Sequence, residues 1–202
     1  MTINPTTSTP AERAARRARI LGGTVPRRTV QHFVADQLFV SGPRLSAQAA
    51  RLAAVQPGHR VLDPSAGTGD LLAAVATSCP AAMLAAIDIE ARLAPALRAR
   101  LPGLQLTVAD FLDCTPEAFG LVDRIVMNPP FRNGADIAHI EHGLRFLAPG
   151  GRMVAICASG PRQHAALRPR VAAAGGHWEE LPSDTFRHAG TSVRTAIFVL
   201  DQ

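Results

Sequence analysis

Short apolar runs typical of β-strands alternate with helical stretches over residues 60–202, and this alternation restricts the chain to few folds. Neighbouring parallel strands need a long crossover connection, and helices in those crossovers cover both faces of the sheet. The pattern therefore predicts an α/β fold built on a mostly parallel sheet. Seven strands are predicted, at residues 61–63, 83–88, 104–108, 124–127, 152–157, 177–181 and 194–200.

Four helices are predicted between these strands, at residues 69–78, 91–100, 137–147 and 162–174. Proline and glycine at 149–151 and two glycines at 175–176 are expected to end the last two of these helices before a strand begins. Residues 182–192 lack a helical pattern. The last two strands are therefore expected to form an antiparallel pair at the sheet edge.

Positive charge is concentrated in the N-terminal part of the chain. Residues 1–60 carry nine arginines against Glu12 and Asp36, a net charge of +7, whereas residues 61–202 have a net charge of −2. We expect residues 1–28 to form a basic, partly disordered arm, and residues 29–202 to form one domain with a helical cap at 29–59 and a core at 60–202. Such an arm suits a polyanion, although a solvated tail has the same composition.

Length and cysteine usage exclude several classes of protein. No apolar run reaches the roughly 18 residues that span a bilayer, and residues 1–9 lack a secretory pattern. The three cysteines, Cys79, Cys114 and Cys157, are odd in number and widely spaced, which is typical of neither a disulfide framework nor a zinc site. A cytoplasmic protein with no membrane partner is expected.

A glycine-rich turn follows the first predicted strand. Gly67 and Gly69 allow tight turning and close approach of the backbone to a ligand at the carboxyl end of the strand. A dinucleotide fingerprint needs a third glycine where Leu72 stands. The carboxylate of Asp63 favours a positively charged ligand, and S-adenosylmethionine, with its ammonium and sulfonium groups, fits that chemistry. Ser65, inside the turn, belongs to this predicted cofactor site.

Acidic residues also stand at the ends of the second and third predicted strands. Asp88 ends the second strand, where an acid can hold a ribose diol, and Asp110 follows the third, where an adenine amino group would lie. Ile89 and Phe111, directly after these acids, complete the predicted cofactor site. Each acid alone is typical of a helix cap or a solvated turn, but their recurrence at successive strand ends favours a shared site.

The fourth predicted strand ends in Asn-Pro-Pro-Phe, at Asn128, Pro129, Pro130 and Phe131. Two consecutive prolines donate no N–H, so strand pairing stops there and backbone carbonyls can face a ligand. The amide and the carbonyls suit a flat molecule with an exocyclic amine, and Asn128 can also contact the cofactor. The alternative is a strand that ends in a proline-rich turn, with Phe131 in the core.

These motifs resemble the class I S-adenosylmethionine-dependent methyltransferases that carry Asn-Pro-Pro-aromatic. Their order, and residues 136–140, 147–152 and 185–191, are similar to small phage- and plasmid-type N6-adenine DNA methyltransferases. The resemblance implies a Rossmann-like fold, S-adenosylmethionine as cofactor and DNA as partner. It also places Phe39 and Ser41 near the cofactor, although this stretch departs from the family's usual Thr-Pro form.

In the mechanism that the resemblance implies, the Asn128 oxygen and the Pro129 carbonyl accept the hydrogens of the target amine. Phe131 stacks on a base that has left its helix. Asp136, His139 and His142 follow at helical spacing, and a polar helix over the site is favoured over a metal site.

Alternatives remain open at this point. RNA adenine, cytosine N4 and a protein glutamine are other planar amine or amide substrates, and a module that binds the cofactor without catalysis is the non-enzymatic alternative. A large target-recognition domain is not expected among the residues after the Asn-Pro-Pro-Phe motif, which the strands and helices of the core use. Specificity is therefore expected to be slight, or to come from a protein partner, from the N-terminal arm, or from the loops around Arg132 and Arg187.

Overall fold

The computed structural model of the chain describes residues 41–186 and 193–202. One sheet holds seven strands in the order β3-β2-β1-β4-β5-β7-β6. The strands are β1 (Arg60–Asp63), β2 (Met83–Asp88), β3 (Gln105–Val108), β4 (Val122–Met127), β5 (Leu147–Ala158), β6 (His177–Glu180) and β7 (Thr195–Asp201). β7 runs antiparallel to its neighbours, β5 and β6. The predicted seven-stranded, mostly parallel α/β fold is confirmed.

Helices cover both faces of the sheet. They are α1 (Gly42–Ala53), α2 (Asp70–Ser78), α3 (Ala94–Arg100), α4 (Pro116–Phe119), α5 (Ala135–Leu144), α6 (Pro161–Ala166) and α7 (Arg168–Ala173). Successive strand residues point to opposite faces, so Val61 belongs to the core cluster that includes residues of α1, α2 and α3, while Leu62 belongs to the cluster that includes residues of α5 and α7. No helix in the described ranges is long and apolar enough to cross a membrane.

Two of the predicted helices are wrong in detail. The helix predicted at 162–174 is divided at Leu167, because Pro169 has no N–H for the hydrogen bond that would continue α6. The helix predicted to reach Leu147 ends at Leu144, and β5 already begins at Leu147, which pairs with Val122.

The expected helix stop at 149–151 lies inside β5. There the Gly150 N–H donates to the Gln202 carbonyl at 3.1 Å, and the Gln202 N–H donates to the Gly151 carbonyl at 2.9 Å. The last two strands are antiparallel as predicted, with β6 at the edge and β7 between β5 and β6. The predicted arm at 1–28 and the first part of the cap, residues 29–40, lie outside the described residues.

Two arginines of the sheet fix the end of α1. Arg124 Nε donates to the Ala53 carbonyl at 2.9 Å, and Arg152 Nη1 donates to the Leu52 carbonyl at 3.1 Å. Cations near the last carbonyls of a helix satisfy groups that have no partner within it. Because α1 is held in this way against β4 and β5, its N-terminal neighbour Ser41 has a fixed place beside the end of β4.

Candidate active site

The predicted polar residues meet at one edge of the sheet. β3, β2, β1 and β4 are adjacent and parallel, so their carboxyl ends lie side by side. Asp63 and Asp88 are the last residues of β1 and β2, and Asn128 directly follows β4. The Ala109 N–H donates to the Asp88 carbonyl at 3.1 Å, which holds the segment before Asp110 against β2. Ligands of open α/β sheets bind at such an edge.

The turn after β1 is tightly folded and depends on its glycines. Gly67 and Gly69 have left-handed φ angles of 53° and 79°. The Gly69 N–H donates to the Ala66 carbonyl at 2.7 Å. A Cβ on Gly69 would lie 2.7 Å from Leu97 Cδ2 of α3, so the position has neither the space nor the backbone conformation for a side chain. The turn therefore packs closely against α3 at Gly69.

Asp88 connects this turn to β2. Its Oδ2 accepts from the Gly67 N–H at 2.6 Å and its Oδ1 accepts from the Glu90 N–H at 2.8 Å. Burial raises the pKa of Asp88, and these two backbone hydrogen bonds oppose that effect. A carboxylate oxygen can accept more than one hydrogen bond, so the carboxylate can bind a diol while it holds the turn.

Asp63 lies deeper than the other acids. Its side chain is 1% exposed, and Oδ1 accepts from the Ser65 N–H at 3.0 Å. Burial raises the pKa of Asp63 to about 8, and the negative charges of Asp88 and Asp70 add to the rise, while the Ser65 hydrogen bond lowers it. A desolvated carboxyl becomes favourable as an anion when a cation binds beside it. This buried carboxyl, beside the glycine turn, fits the cationic amino-acid end of S-adenosylmethionine.

Arg100 holds the glycine turn from outside. Its Nη1 donates to the Thr68 carbonyl at 2.7 Å and to Asp70 Oδ1 at 2.6 Å, and the Thr68 hydroxyl donates to Asp70 Oδ2 at 2.8 Å. Sequence reasoning missed Arg100, because an arginine at the end of α3 carries no local signal of this contact.

The residues after β2 and β3 differ in exposure. Ile89 is 64% exposed and offers an apolar surface next to Asp88. Asp110 is exposed, and its Oδ1 caps the following turn by accepting from the Leu112 N–H at 2.9 Å. The ring of Phe111 is buried in the core, 5.1 Å from the ring of Phe146. Cofactor contacts for Ile89, Asp110 and Phe111 stay predictions, and Phe39 lies outside the described residues.

Ser41 orients the amide of Asn128. The Asn128 Nδ2 donates to Ser41 Oγ at 3.1 Å, and the Ser41 side chain is buried. With the nitrogen directed at this hydroxyl, the oxygen is the acceptor at the other end of the amide. Pro129 is buried and Pro130 half-buried, and neither has an N–H. The structure thus brings the predicted Ser41 and Asn128 together, and their catalytic and cofactor roles remain predictions.

Phe131 is packed in the core. Its ring is 8% exposed and meets the ring of Phe186 edge-on, with centroids 6.0 Å apart. This placement agrees with the alternative interpretation of the motif. The predicted stacking on a substrate base stays a prediction, and it requires one face of the ring to become uncovered.

A buried carboxylate fixes the helix after the Asn-Pro-Pro-Phe motif. Asp136 is fully buried, and its Oδ2 accepts from the Ala158 N–H at 3.0 Å and from Gln163 Nε2 at 3.0 Å. His139 and His142 instead contact the carbonyls of Ala135 and Cys114. Within the described ranges, no group of three such side chains could hold a metal ion. Asp136 thus connects α5 to β5 and α6, and sequence reasoning missed its partner Gln163.

Replacing Asp136 with alanine is expected to lower the free energy of unfolding by about 3 kcal/mol, because buried donors on Gln163 and Ala158 lose their acceptor. Urea denaturation measures this loss. In a double-mutant cycle with Gln163→Ala, the two losses should be strongly non-additive. Additive losses would show that the two side chains do not act as a unit.

The strand order is that of a class I S-adenosylmethionine-dependent methyltransferase domain, a class with S-adenosylmethionine as its cofactor. The family described as methyltransferase small domain matches residues 45–174, and the chain belongs to that family.

Known proteins resemble the chain over part of their length. The 4-amino-L-phenylalanine/4-methylamino-L-phenylalanine methyltransferase of Streptomyces pristinaespiralis is 36% identical over 91 residues, which are 44% of this chain and 28% of that protein. TrmN from Thermus thermophilus is 27% identical with a TM-score of 0.64, over 85% of this chain and 52% of TrmN. The M protein of the type I restriction enzyme EcoKI shares the fold at 16% identity, with a TM-score of 0.65, over 82% of this chain and 44% of that protein.

The chain thus spans about a quarter of the length of the Streptomyces relative and about half of TrmN.

Proposed function

We propose that the domain transfers a methyl group to an exocyclic amine on an aromatic ring, and that this amine is N6 of adenine in DNA. The observation that carries the proposal is the Asn128 amide, oriented by Ser41 at the end of β4 and next to the acid-lined ends of β1 and β2. An amine held there lies between hydrogen-bond acceptors and the cofactor site.

The cofactor would be held by the residues at the ends of β1 to β3. The Asp63 carboxylate suits the ammonium group, the backbone at Gly67 and Gly69 suits close approach of the amino-acid end, and Asp88 suits the ribose diol. Ile89 would cover the adenine ring of the cofactor. When bound, S-adenosylmethionine supplies an electrophilic methyl group on a sulfonium.

The chain's own residues would activate the amine by position. The N6 lone pair of adenine is delocalised into the ring, so the amine is a weak nucleophile. If Asn128 Oδ1 and the Pro129 carbonyl each accept one hydrogen bond from the amine, the nitrogen becomes pyramidal and its lone pair is localised on the nitrogen instead of being delocalised into the ring. This is catalysis by orientation and electrostatics, without a covalent enzyme intermediate.

DNA is supported by the order of the two motifs and by the net charge of +7 on residues 1–60. The Streptomyces relative is named for methylation of an aromatic amine on a free amino acid, and it favours a second candidate, a small arylamine. Both substrates present an amine conjugated with a flat ring, so the oriented Asn128 amide could accept a hydrogen bond from either of them.

One assay separates these substrates. The protein is incubated with methyl-labelled cofactor and, in parallel, with single-stranded DNA, duplex DNA, RNA, a protein fraction and 4-amino-L-phenylalanine. Labelled N6-methyladenine is expected from the digested DNA, with faster transfer to unpaired adenine because a paired base must first leave the helix. Label only in the amino acid would replace the DNA proposal with the arylamine. Label only in protein or in cytosine would also contradict it.

A further inference from the structure

We propose that three exposed arginines, Arg132, Arg162 and Arg194, form the surface that binds the sugar–phosphate backbone of the DNA substrate. The inference rests on the proposed function and adds to it the place where the polyanion binds. We call these three residues the arginine rim.

The rim lies at the same edge of the sheet as Asn128. Arg132 follows the Asn-Pro-Pro-Phe motif directly, and Arg162 is in the first turn of α6, just after β5. Arg194 precedes β7, and its carbonyl accepts from the Ser159 N–H, at the end of β5, at 2.7 Å. β4 and β5 are parallel neighbours, so all three arginines stand at the carboxyl ends of these two strands.

Charge divides this edge into two halves. The half over β1 to β3 carries the acids Asp63, Asp88, Glu90, Asp110 and Asp113. In the half over β4 to β7, Asp136 is buried against Gln163, Glu180 contacts Trp178 Nε1 at 2.9 Å and His164 Nε2 at 3.2 Å, and Asp184 is exposed after β6. The three arginines of the rim therefore outnumber the exposed acids of this half among the described residues. The acidic half suits a cationic cofactor, and the arginine-bearing half suits an anionic substrate.

Two members of the rim keep their charge available. In residues 41–186 and 193–202, neither Arg162 nor Arg194 forms an ion pair with a carboxylate, and both are exposed. Four other arginines form such pairs with acids close to them in the fold: Arg92 with Glu90, Arg100 with Asp70, the half-buried Arg152 with Asp201, and Arg170 with Glu141. Among the described residues, further exposed arginines away from this edge also lack a carboxylate partner, so the position at the sheet edge, and not the missing pair alone, distinguishes the rim. An exposed arginine without a protein anion can bind phosphate with little loss of existing interactions.

The spread of the rim favours a polymer over a small molecule. Its three members come from three separate connections, after β4, after β5 and before β7. One carboxylate on an amino acid can contact only one such site at a time. A polynucleotide carries a charge at every phosphate and can contact all three while one base enters the site beside Asn128.

The test compares two double variants that lose the same charge. Arg162→Gln with Arg194→Gln changes the rim, whereas Arg51→Gln with Arg98→Gln removes two exposed arginines of α1 and α3, away from it. Binding of a labelled single-stranded DNA is measured by fluorescence anisotropy over a range of salt concentrations. The rim variant is expected to bind about tenfold more weakly. Its plot of log affinity against log salt should be less steep, with the magnitude of the slope smaller by about one to two. The control should keep the wild-type slope.

Calorimetry with S-adenosylmethionine checks that both variants retain the cofactor site, where an unchanged Kd is expected. A rim variant with the affinity and salt slope of the wild type overturns the inference, and DNA methylation by the wild type would then still support the proposed function. If the wild-type protein neither binds nor methylates DNA, that result contradicts both the proposed function and the inference about the arginine rim.

Discussion

Replacing Asn128 with alanine is expected to lower kcat for methyl transfer by about 100- to 1,000-fold, the usual effect of deleting one oriented hydrogen-bonding group from a catalytic site. The alanine has no oxygen to accept a hydrogen bond from the amine, so the lone pair of the target nitrogen stays delocalised into the ring. The Kd for S-adenosylmethionine should stay within about threefold of the wild type, because Asp63 and Asp88, the acids proposed to hold the cofactor, are unchanged. Single-turnover kinetics and calorimetry measure the two quantities separately.

Ser41→Ala is the matched control for this prediction. It removes the hydroxyl that accepts from Asn128 Nδ2 but leaves the amide oxygen in place. A smaller loss, about tenfold in kcat, is expected because the amide can then rotate between two orientations. Retained transfer together with lost cofactor binding in Asn128→Ala would contradict the catalytic assignment and make Asn128 a cofactor residue.

The strands and the series of polar strand ends could be predicted because each depends on a local pattern. A short apolar run followed by Asp88 or Asn128 gives both the strand and its end, and parallel strands then bring these residues to one edge. The turn at Gly67 and Gly69 is equally local, since tight turning there needs glycine.

Contacts between distant segments could not be predicted in this way. Arg100 reaches Asp70 across 30 residues, Asn128 reaches Ser41 across 87, and Gln163 reaches Asp136 across 27. These pairs depend on how helices pack on the sheet, which hydrophobic periodicity does not determine. The place of β7 between β5 and β6 is likewise a matter of strand order, and the burial of Phe131 depends on its contact with Phe186.

Burial of the Asp63 carboxyl should also make the cofactor-free domain less stable as pH rises. Its folded pKa of about 8 lies above the ordinary value of 3.8, so the folded state keeps a proton that the unfolded chain releases between these two values. The free energy of unfolding, relative to Asp63→Asn, is then highest below about pH 4 and falls by about 1.4 kcal/mol per pH unit up to about pH 8. Urea denaturation of both proteins at about pH 5, 6 and 7 measures this difference.

The same carboxyl should release a proton when S-adenosylmethionine binds. At about pH 7 the Asp63 carboxyl is mostly protonated in the free domain, and a bound cation lowers its pKa, so binding should release up to about one proton. Calorimetry in buffers of different ionisation enthalpy measures that number. Asp63→Asn should abolish the release and weaken binding by about 10- to 100-fold, the range for hydrogen bonds to charged groups. The uncharged ligand 5′-methylthioadenosine should release no proton from either protein. Equal proton release by the wild type and Asp63→Asn would show that Asp63 does not face the cation.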